Sequence, residues 1–345
     1  MPVVNRKQYE EMIDNAKEKG YAYPAVNVTS TNTINATLAA FAKKKSDGII
    51  QISTGGGKFA SGSIGSMAIG AEALANFTHF AAKHYDINVA LHTDHCVYDV
   101  LDNFVRPLVE VTKKRRQQNL PNLFSSHMFD GSTIPLEENL KTSKKLLDEF
   151  NELDLLLEIE IGAVGGEEDG LEAKSDDKLY TSNQDMIRVA EVMGFGEKGR
   201  YILAATFGNV HGVYKPGHVK LKPEILRDGQ KAVAEKFPQI KKAQPFDFVF
   251  HGGSGSELEK IHQSLGYGVI KMNIDTDAQY AFTRPIVHHV MTHYDGVLKI
   301  DGEVGNKKCY DPRTYLKKAE ESMQTRIEKA CDDLKSSGKT LYKKN

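Results

Sequence analysis

Short apolar and β-branched runs recur along this chain and keep ending in polar residues or glycine. Eight of them read as strands, at 21–28, 48–53, 88–94, 123–130, 155–162, 201–208, 247–253 and 268–275. Between them the spacing changes to that of a helix with one buried face. Ile34, Leu38, Phe41 and Ala42 follow i, i+4, i+7 and i+8, and Leu140, Leu146, Leu147 and Phe150 do much the same after the acidic start Glu137-Glu138. Eight alternating strand–helix units predict a closed parallel (β/α)8 TIM barrel. An open doubly wound sheet is the rival, weakened because no Gly-x-Gly-x-x-Gly follows the first strand.

Side chains alternate between the two faces of a strand. Ile50 and Ile52 therefore oppose Gln51 and Ser53. Leu155, Leu157 and Ile159 oppose Glu158 and Glu160, and Ile270, Met272 and Ile274 oppose Lys271, Asn273 and Asp275. The apolar face suits packing against helices. A barrel interior is normally branched and apolar, so a charged inner face near the strand ends points to a site. After the eighth unit, 313–338 reads as a long amphipathic helix with Leu316, Ala319, Met323, Ile327 and Cys331 on or near one face. The expected organisation is one domain over 1–345, with this helix appended to the barrel and packed on it or on a partner subunit.

Composition narrows the function classes. The chain has 345 residues, 40% hydrophobic, with mean hydropathy -0.43. Its net charge is -1 with signs interspersed, which argues against a nucleic-acid or membrane surface. The basic cluster Lys113-Lys114-Arg115-Arg116 suits the C-terminal end of a helix. Cys96, Cys309 and Cys331 are scattered and form no Cys-x-x-Cys, as expected in a reducing cytoplasm. The first residues run into charged helical sequence without an apolar leader core, and no apolar stretch is long enough to span a membrane.

Three histidines at predicted strand ends carry the candidate chemistry: His95 in His92-Thr93-Asp94-His95, His211 in Gly208-Asn209-Val210-His211-Gly212, and His251 in Phe250-His251-Gly252-Gly253-Ser254-Gly255. A barrel gathers strand ends, so these imidazoles can meet at one zinc and leave a position open for substrate. His92 shares a face with Asp94 and is a fourth candidate. Gly252-Gly253-Ser254-Gly255-Ser256 and Asn273-Ile274-Asp275-Thr276 each precede a predicted helix, after the seventh and eighth strands. Barrels commonly bind phosphate there, on backbone N–H groups. Gly165-Gly166-Glu167-Glu168-Asp169-Gly170 reads as a solvated acidic turn or, at an active-site mouth, as a lid delivering a carboxylate.

In this order, His92-Thr93-Asp94-His95-Cys96, Glu160-Ile161-Gly162 with Gly165 to Gly170, Gly208 to Gly212, His251 to Gly255 and Lys271 to Thr276 resemble class II fructose-bisphosphate aldolase. The similarity spans nearly the whole chain and is closest to the longer, dimeric subgroup. It implies that His95, His211 and His251 hold the catalytic Zn2+, and that Asp130 and Glu160 can bind a second, nearby divalent ion. Asp94 would be the acid/base at the C4 oxygen. Glu168, with Glu167 beside it, would move the proton on the dihydroxyacetone phosphate carbon. Asn27, Ser53, Gly212, Gly252, Gly253, Ser254, Asn273, Asp275 and Thr276 would hold dihydroxyacetone phosphate, and Arg313 would meet the far phosphate. Main-chain oxygens around Val210, Gly212 and Gly252 would bind a monovalent cation, Na+ or K+. The implied partners are a sugar bisphosphate, its triose phosphates and a second copy in a homodimer.

Other readings stay open at this point. The substrate could be tagatose or sedoheptulose bisphosphate. Lys271 could form an imine if desolvation lowered its pKa, although a barrel lysine more often pairs with a carboxylate such as Glu160 or Asp275. Three histidines and an acid would also serve a zinc hydrolase, which leaves the two phosphate loops unexplained. Zinc as a purely structural staple would normally have a fourth Cys or His ligand.

Overall fold

Eight parallel strands close into a barrel, which settles the choice against an open sheet. They are Tyr23–Asn27, Gly48–Ser53, Val89–Asp94, Ser126–Asp130, Leu156–Ile161, Tyr201–Ala205, Phe248–Phe250 and Val269–Ile274. Each pairs with its sequence neighbour, and the first closes on the eighth. The computed structural model describes residues 2–162, 165–168, 171–173, 180–211, 221–253, 255–298 and 305–343, with the backbone alone at 165–168, 171–173 and 211.

The barrel interior is divided along its length. At its N-terminal end Tyr23, Ala25, Ile49, Ala90, Leu156, Ile202, Ala204 and Val249 form one buried cluster. Tyr9, Met12, Ile13 and Ala16 join it from the helix Arg6–Lys19, which plugs that end. The plug starts at a capping box between Asn5 and Gln8 and stops at Gly20, whose φ of +64° suits a residue without Cβ. A second cluster lies between the strands and the surrounding helices. It holds Ile50, Ile52, Leu91, Leu157, Ile159, Met272 and Ile274 against Ile34, Leu38, Phe41, Leu146, Leu147 and Phe150. The expected alternation therefore holds, with one exception. Ile270 belongs to the inner cluster, not with Met272 and Ile274. Between the seventh and eighth strands Phe248 faces Val269 but Val249 faces Lys271, and this one-residue shift turns Ile270 inward.

The last long helix runs Pro312–Asp333, from the Asp311 cap, and ends five residues before the expected 338. Lys335 takes a left-handed φ of 60°, and the N–H groups of Ser336 and Ser337 close on the Cys331 carbonyl. The helix buries Ala319, Met323, Ile327, Ala330 and Cys331 against the flank of the barrel, while Leu316 is half-buried. Ion pairs fix it to the helices after the first and eighth strands, Thr31–Lys44 and Thr276–Thr292: Lys44–Asp332 at 2.7 Å and Arg326–Asp277 at 2.7 Å.

Candidate active site

Above the apolar floor, the C-terminal halves of the same strands turn polar. Strand register brings them level: Asn27 pairs with Gln51, Gln51 with His92, Ser53 with Asp94, and Asp130 with Glu160. Asp94 is fully buried and accepts from two amides, Asn27 Nδ2 to Oδ2 at 2.8 Å and Asn273 Nδ2 to Oδ1 at 3.1 Å. Ser53 caps the helix Thr54–Ala60, accepting from Gly56 N at 3.1 Å, so its hydroxyl is fixed at the barrel mouth.

His95 follows the third strand in a left-handed conformation, φ 38°, unusual for a residue with a side chain. Its Nδ1 lies 3.1 Å from Asp130 Oδ2 and 3.6 Å from Glu160 Oε2. The His95 and His251 ring centres are 4.7 Å apart. His251 Nδ1 is 3.1 Å from Glu160 Oε2, and its Nε2 is 2.8 Å from Glu158 Oε1. Two groups of three thus bring ligand atoms within 4.8 Å of one another: Asp94, His95 and His251, and His95, Asp130 and Glu160.

The electrostatics show what this pocket suits. Burial and the Asp130 charge both raise the Glu160 carboxyl. Burial would also raise Asp130, but the hydrogen bond and charge of His95, with Ser132, hold it down at about 2. Burial pushes His251 down, yet the Glu160 charge and the Glu158 and Glu160 hydrogen bonds outweigh it and lift the ring to about 9. Buried carboxylates crowd two imidazoles, so the donor set calls for a cation. Nitrogen and oxygen ligands of this kind fit a divalent metal.

The His211 backbone reaches the same mouth. Val210–His211 pairs with Gly165–Glu168, Gly166 opposite His211, and Gly165–Glu168 also pairs with Leu171–Ala173. The acidic segment expected as a turn or lid therefore has a three-stranded sheet at its base. Asn209 donates to the His251 carbonyl at 2.9 Å, tying this corner to the end of the seventh strand. The side chains of Glu167, Glu168 and His211, and residues Gly212 and Ser254, lie outside the described residues.

In the first of the expected phosphate loops, Gly252 has φ +59°, and a Cβ on Gly253 would collide with Met272 Cε. The first position suits a residue without Cβ, and the second leaves room for the Met272 side chain packed against the loop. Asp275 and Thr276 open the helix Thr276–Thr292, with Asp275 accepting from Gln279 at 2.9 Å. Arg313 is not gathered into the cluster. It is 86% exposed and folds back on Asp311 at 2.6 Å.

Three buried side chains have roles the sequence did not assign. His92 joins neither candidate metal group. It lies one layer deeper, its Nδ1 2.7 Å from Ser126 Oγ and its Nε2 3.2 Å from Glu158 Oε2. Glu158 orients His251 and pairs with Lys271 at 2.9 Å, in place of the Glu160 or Asp275 expected for that lysine. Burial raises the Glu158 carboxyl, but Lys271 and His92 hold it well below its usual range. The signal for Glu158 was present in the alternation with Glu160. Its partners were not, because they come from strands distant in sequence.

A parallel barrel whose mouth gathers imidazoles and carboxylates around a cation site, beside two helix starts of which one follows a glycine-rich loop, defines a divalent-metal-dependent barrel enzyme. Comparison with known proteins makes this specific. The family described as "Fructose-bisphosphate aldolase class-II" matches residues 7–339, and the chain belongs to it. It is a lyase of that family, a class II fructose-bisphosphate aldolase. The chain is 59% identical over 344 residues to the fructose-bisphosphate aldolase of Corynebacterium glutamicum, covering 99% of this chain and 100% of that one. It is 56% identical to that of Mycobacterium tuberculosis over 342 residues, 99% of each. The crystal structure of fructose-bisphosphate aldolase from Campylobacter jejuni superposes with TM-score 0.85 at 42% identity, covering 98% of this chain and 97% of that one.

Proposed function

We propose that the chain cleaves fructose 1,6-bisphosphate reversibly to dihydroxyacetone phosphate and glyceraldehyde 3-phosphate, in the cytoplasm, with His95, His211 and His251 holding a catalytic Zn2+. When bound, the ion supplies a Lewis acid for the substrate ketone. Asp94 takes the proton of the C4 hydroxyl as the C3–C4 bond breaks. The aldehyde leaves, and the bonding electron pair stays on C3. Glu168 then delivers a proton to that carbon, giving dihydroxyacetone phosphate; condensation reverses each step. The backbone of Gly252, Gly253, Ser254, Asp275 and Thr276 takes one phosphate, with Asn27, Ser53, Gly212 and Asn273 beside it, and Arg313 takes the other. Holding both ends turns remote binding into orientation.

The observation that carries this reading is Asp94, held by two amides while its carboxylate shares a ligand cluster with His95 and His251. A basic acceptor and an electrophile site at one point are what a retro-aldol cleavage requires. Asp130 and Glu160 provide a second divalent position, and main-chain oxygens near Val210, Gly212 and Gly252 a monovalent one for Na+ or K+. A homodimer is supported by the exposed apolar stripe Tyr280, Val287, Met291 and Tyr294 along one face of the Thr276–Thr292 helix and the turn beyond it. Among the described residues no helix is long and apolar enough to cross a membrane. The test is a coupled cleavage assay with fructose and tagatose bisphosphates side by side, before and after chelation. Activity lost to chelator, restored by zinc or cobalt and favouring the fructose substrate supports the reading. Activity indifferent to chelator, or preference for the tagatose epimer, refutes it.

A further inference from the structure

Lys271 is a fully buried charged side chain that the chemistry above leaves without a task. It has no solvent exposure and lies inside the barrel on the eighth strand. Its Nζ reaches Glu158 Oε1 at 3.1 Å and Oε2 at 2.9 Å, and donates to Asn273 Oδ1 at 2.8 Å. An imine role does not fit: the nitrogen is sealed from the mouth and already bonded to oxygens on two residues. Nor is a buried ion pair well explained by stability, since apolar replacements of such pairs are often as stable.

The bond to Asn273 suggests what Lys271 does. An ammonium has only protons to give. The Asn273 carbonyl must therefore face Lys271, and its NH2 must face Asp94, as the 3.1 Å contact to Oδ1 records. Lys271 and Asn273 are two apart on one strand, so their side chains share the inner face. A cation on the carbonyl also polarises the amide and strengthens its N–H as a donor. On the other side of Asp94, Gln51 donates to Asn27 Oδ1, and Asn27 donates to Asp94 Oδ2 at 2.8 Å. Asp94 is thus gripped by two amides, each oriented from behind by a second buried donor. Lys271 is the charged one, and Glu158 is its counter-ion.

We propose that Lys271 is a positioning residue for the carbon–carbon bond-breaking step, acting through Asn273 to aim the Asp94 carboxylate. This deepens the reading of Asp94 as the base at the C4 oxygen and rests on it. A lysine acting only through packing or the metal site would affect every partial reaction. A lysine acting through Asp94 affects the step in which the C4 hydroxyl loses its proton. It spares the kcat for exchange of a carbon-bound proton of dihydroxyacetone phosphate with solvent, which involves no C4 oxygen; any loosened hold of Asn273 on that substrate enters its KM instead.

The experiment measures both reactions, with metal content and thermal melting, in the zinc-loaded full chain and three variants. Lys271→Met keeps length and removes the donor. Lys271→Gln keeps a shorter, uncharged donor. Asp94→Asn is the control for the underlying reading. Lys271→Met should lower cleavage kcat about 30- to 100-fold, the scale of a slightly misaimed catalytic group, while proton exchange stays within about threefold and zinc stays bound. Lys271→Gln should show the same split with a cleavage loss of about 3- to 10-fold, graded by the donor that remains. Parallel loss of both reactions, loss of zinc, or unchanged cleavage would overturn the proposal. If Lys271→Met does not accumulate as folded protein, the Gln variant is judged alone by the same criteria. If Asp94→Asn loses exchange together with cleavage, the reading of Asp94 fails and takes this proposal with it. If Asp94→Asn shows the split and the lysine variants do not, only the role of Lys271 is lost.

Discussion

The two ends of the barrel interior are built from the same eight strands and do opposite things. Toward the N-terminal end, Ile49, Ala90, Leu156, Ile202 and Val249 meet the plug helix in a core without charge. A few residues further along the same strands stand Gln51, Asp94, Glu158, Glu160, His251 and Lys271, nearly all fully buried. Hydrophobic burial accounts for the first region. The second is stable because each buried charge has partners, at distances of about 3 Å in the Glu158–Lys271–His251 group. The fold is held from below and reserves its strand ends for chemistry, so damage to the two regions should look different.

The largest separation should come from His95→Ala. It removes a side chain of both ligand groups, and losing the several kcal/mol that a Lewis acid supplies should lower kcat/KM by about 10³-fold or more, with loss of bound metal by elemental analysis. Leu156→Ala in the floor is the converse. It should cost about 2–5 kcal/mol in urea unfolding while metal content and kcat stay near wild type. Equal effects of the two variants on activity would erase the distinction.

A smaller effect is expected from Asp247, at the N-terminal end beside the floor, where Lys17 and Arg200 bind it at 2.8 Å each. Burial would raise its carboxyl, but those two cations hold it below its ordinary value of 3.8. Its contribution to stability is therefore present above that value and lost as pH falls through the lower folded value. Thermal melts across the acid range should show a shallower acid limb in Asp247→Asn than in wild type, with kcat at neutral pH unchanged. The smallest effect is expected from Arg313→Ala. Exposed and paired with Asp311, it should leave the melting temperature close to wild type while raising KM for the bisphosphate more than for dihydroxyacetone phosphate.

Much of this was legible in the sequence because it depends on local period. The eight strands, the inward set Gln51, Glu158, Glu160, Lys271 and Asn273, and the buried face of the last helix follow from alternation and helical spacing. The misplacement of Ile270 came from a register shift, which depends on the neighbouring strand and leaves no mark in the strand's own pattern. The helix end at Asp333 was missed for a similar reason: Lys335, without a glycine's freedom, takes the left-handed turn that stops it. Lys271 was given the wrong carboxylate because Glu158 and Glu160 present the same chemistry one layer apart. Only strand register decides which of them lies level with the lysine.

The most direct test of the whole account is anomalous diffraction at the zinc edge from crystals of the zinc-loaded protein. One strong peak bonded to nitrogens of His95, His211 and His251, with a coordination position open toward Asp94, is the expected result. A peak held by other residues, or one whose coordination is closed by four protein ligands, would contradict it.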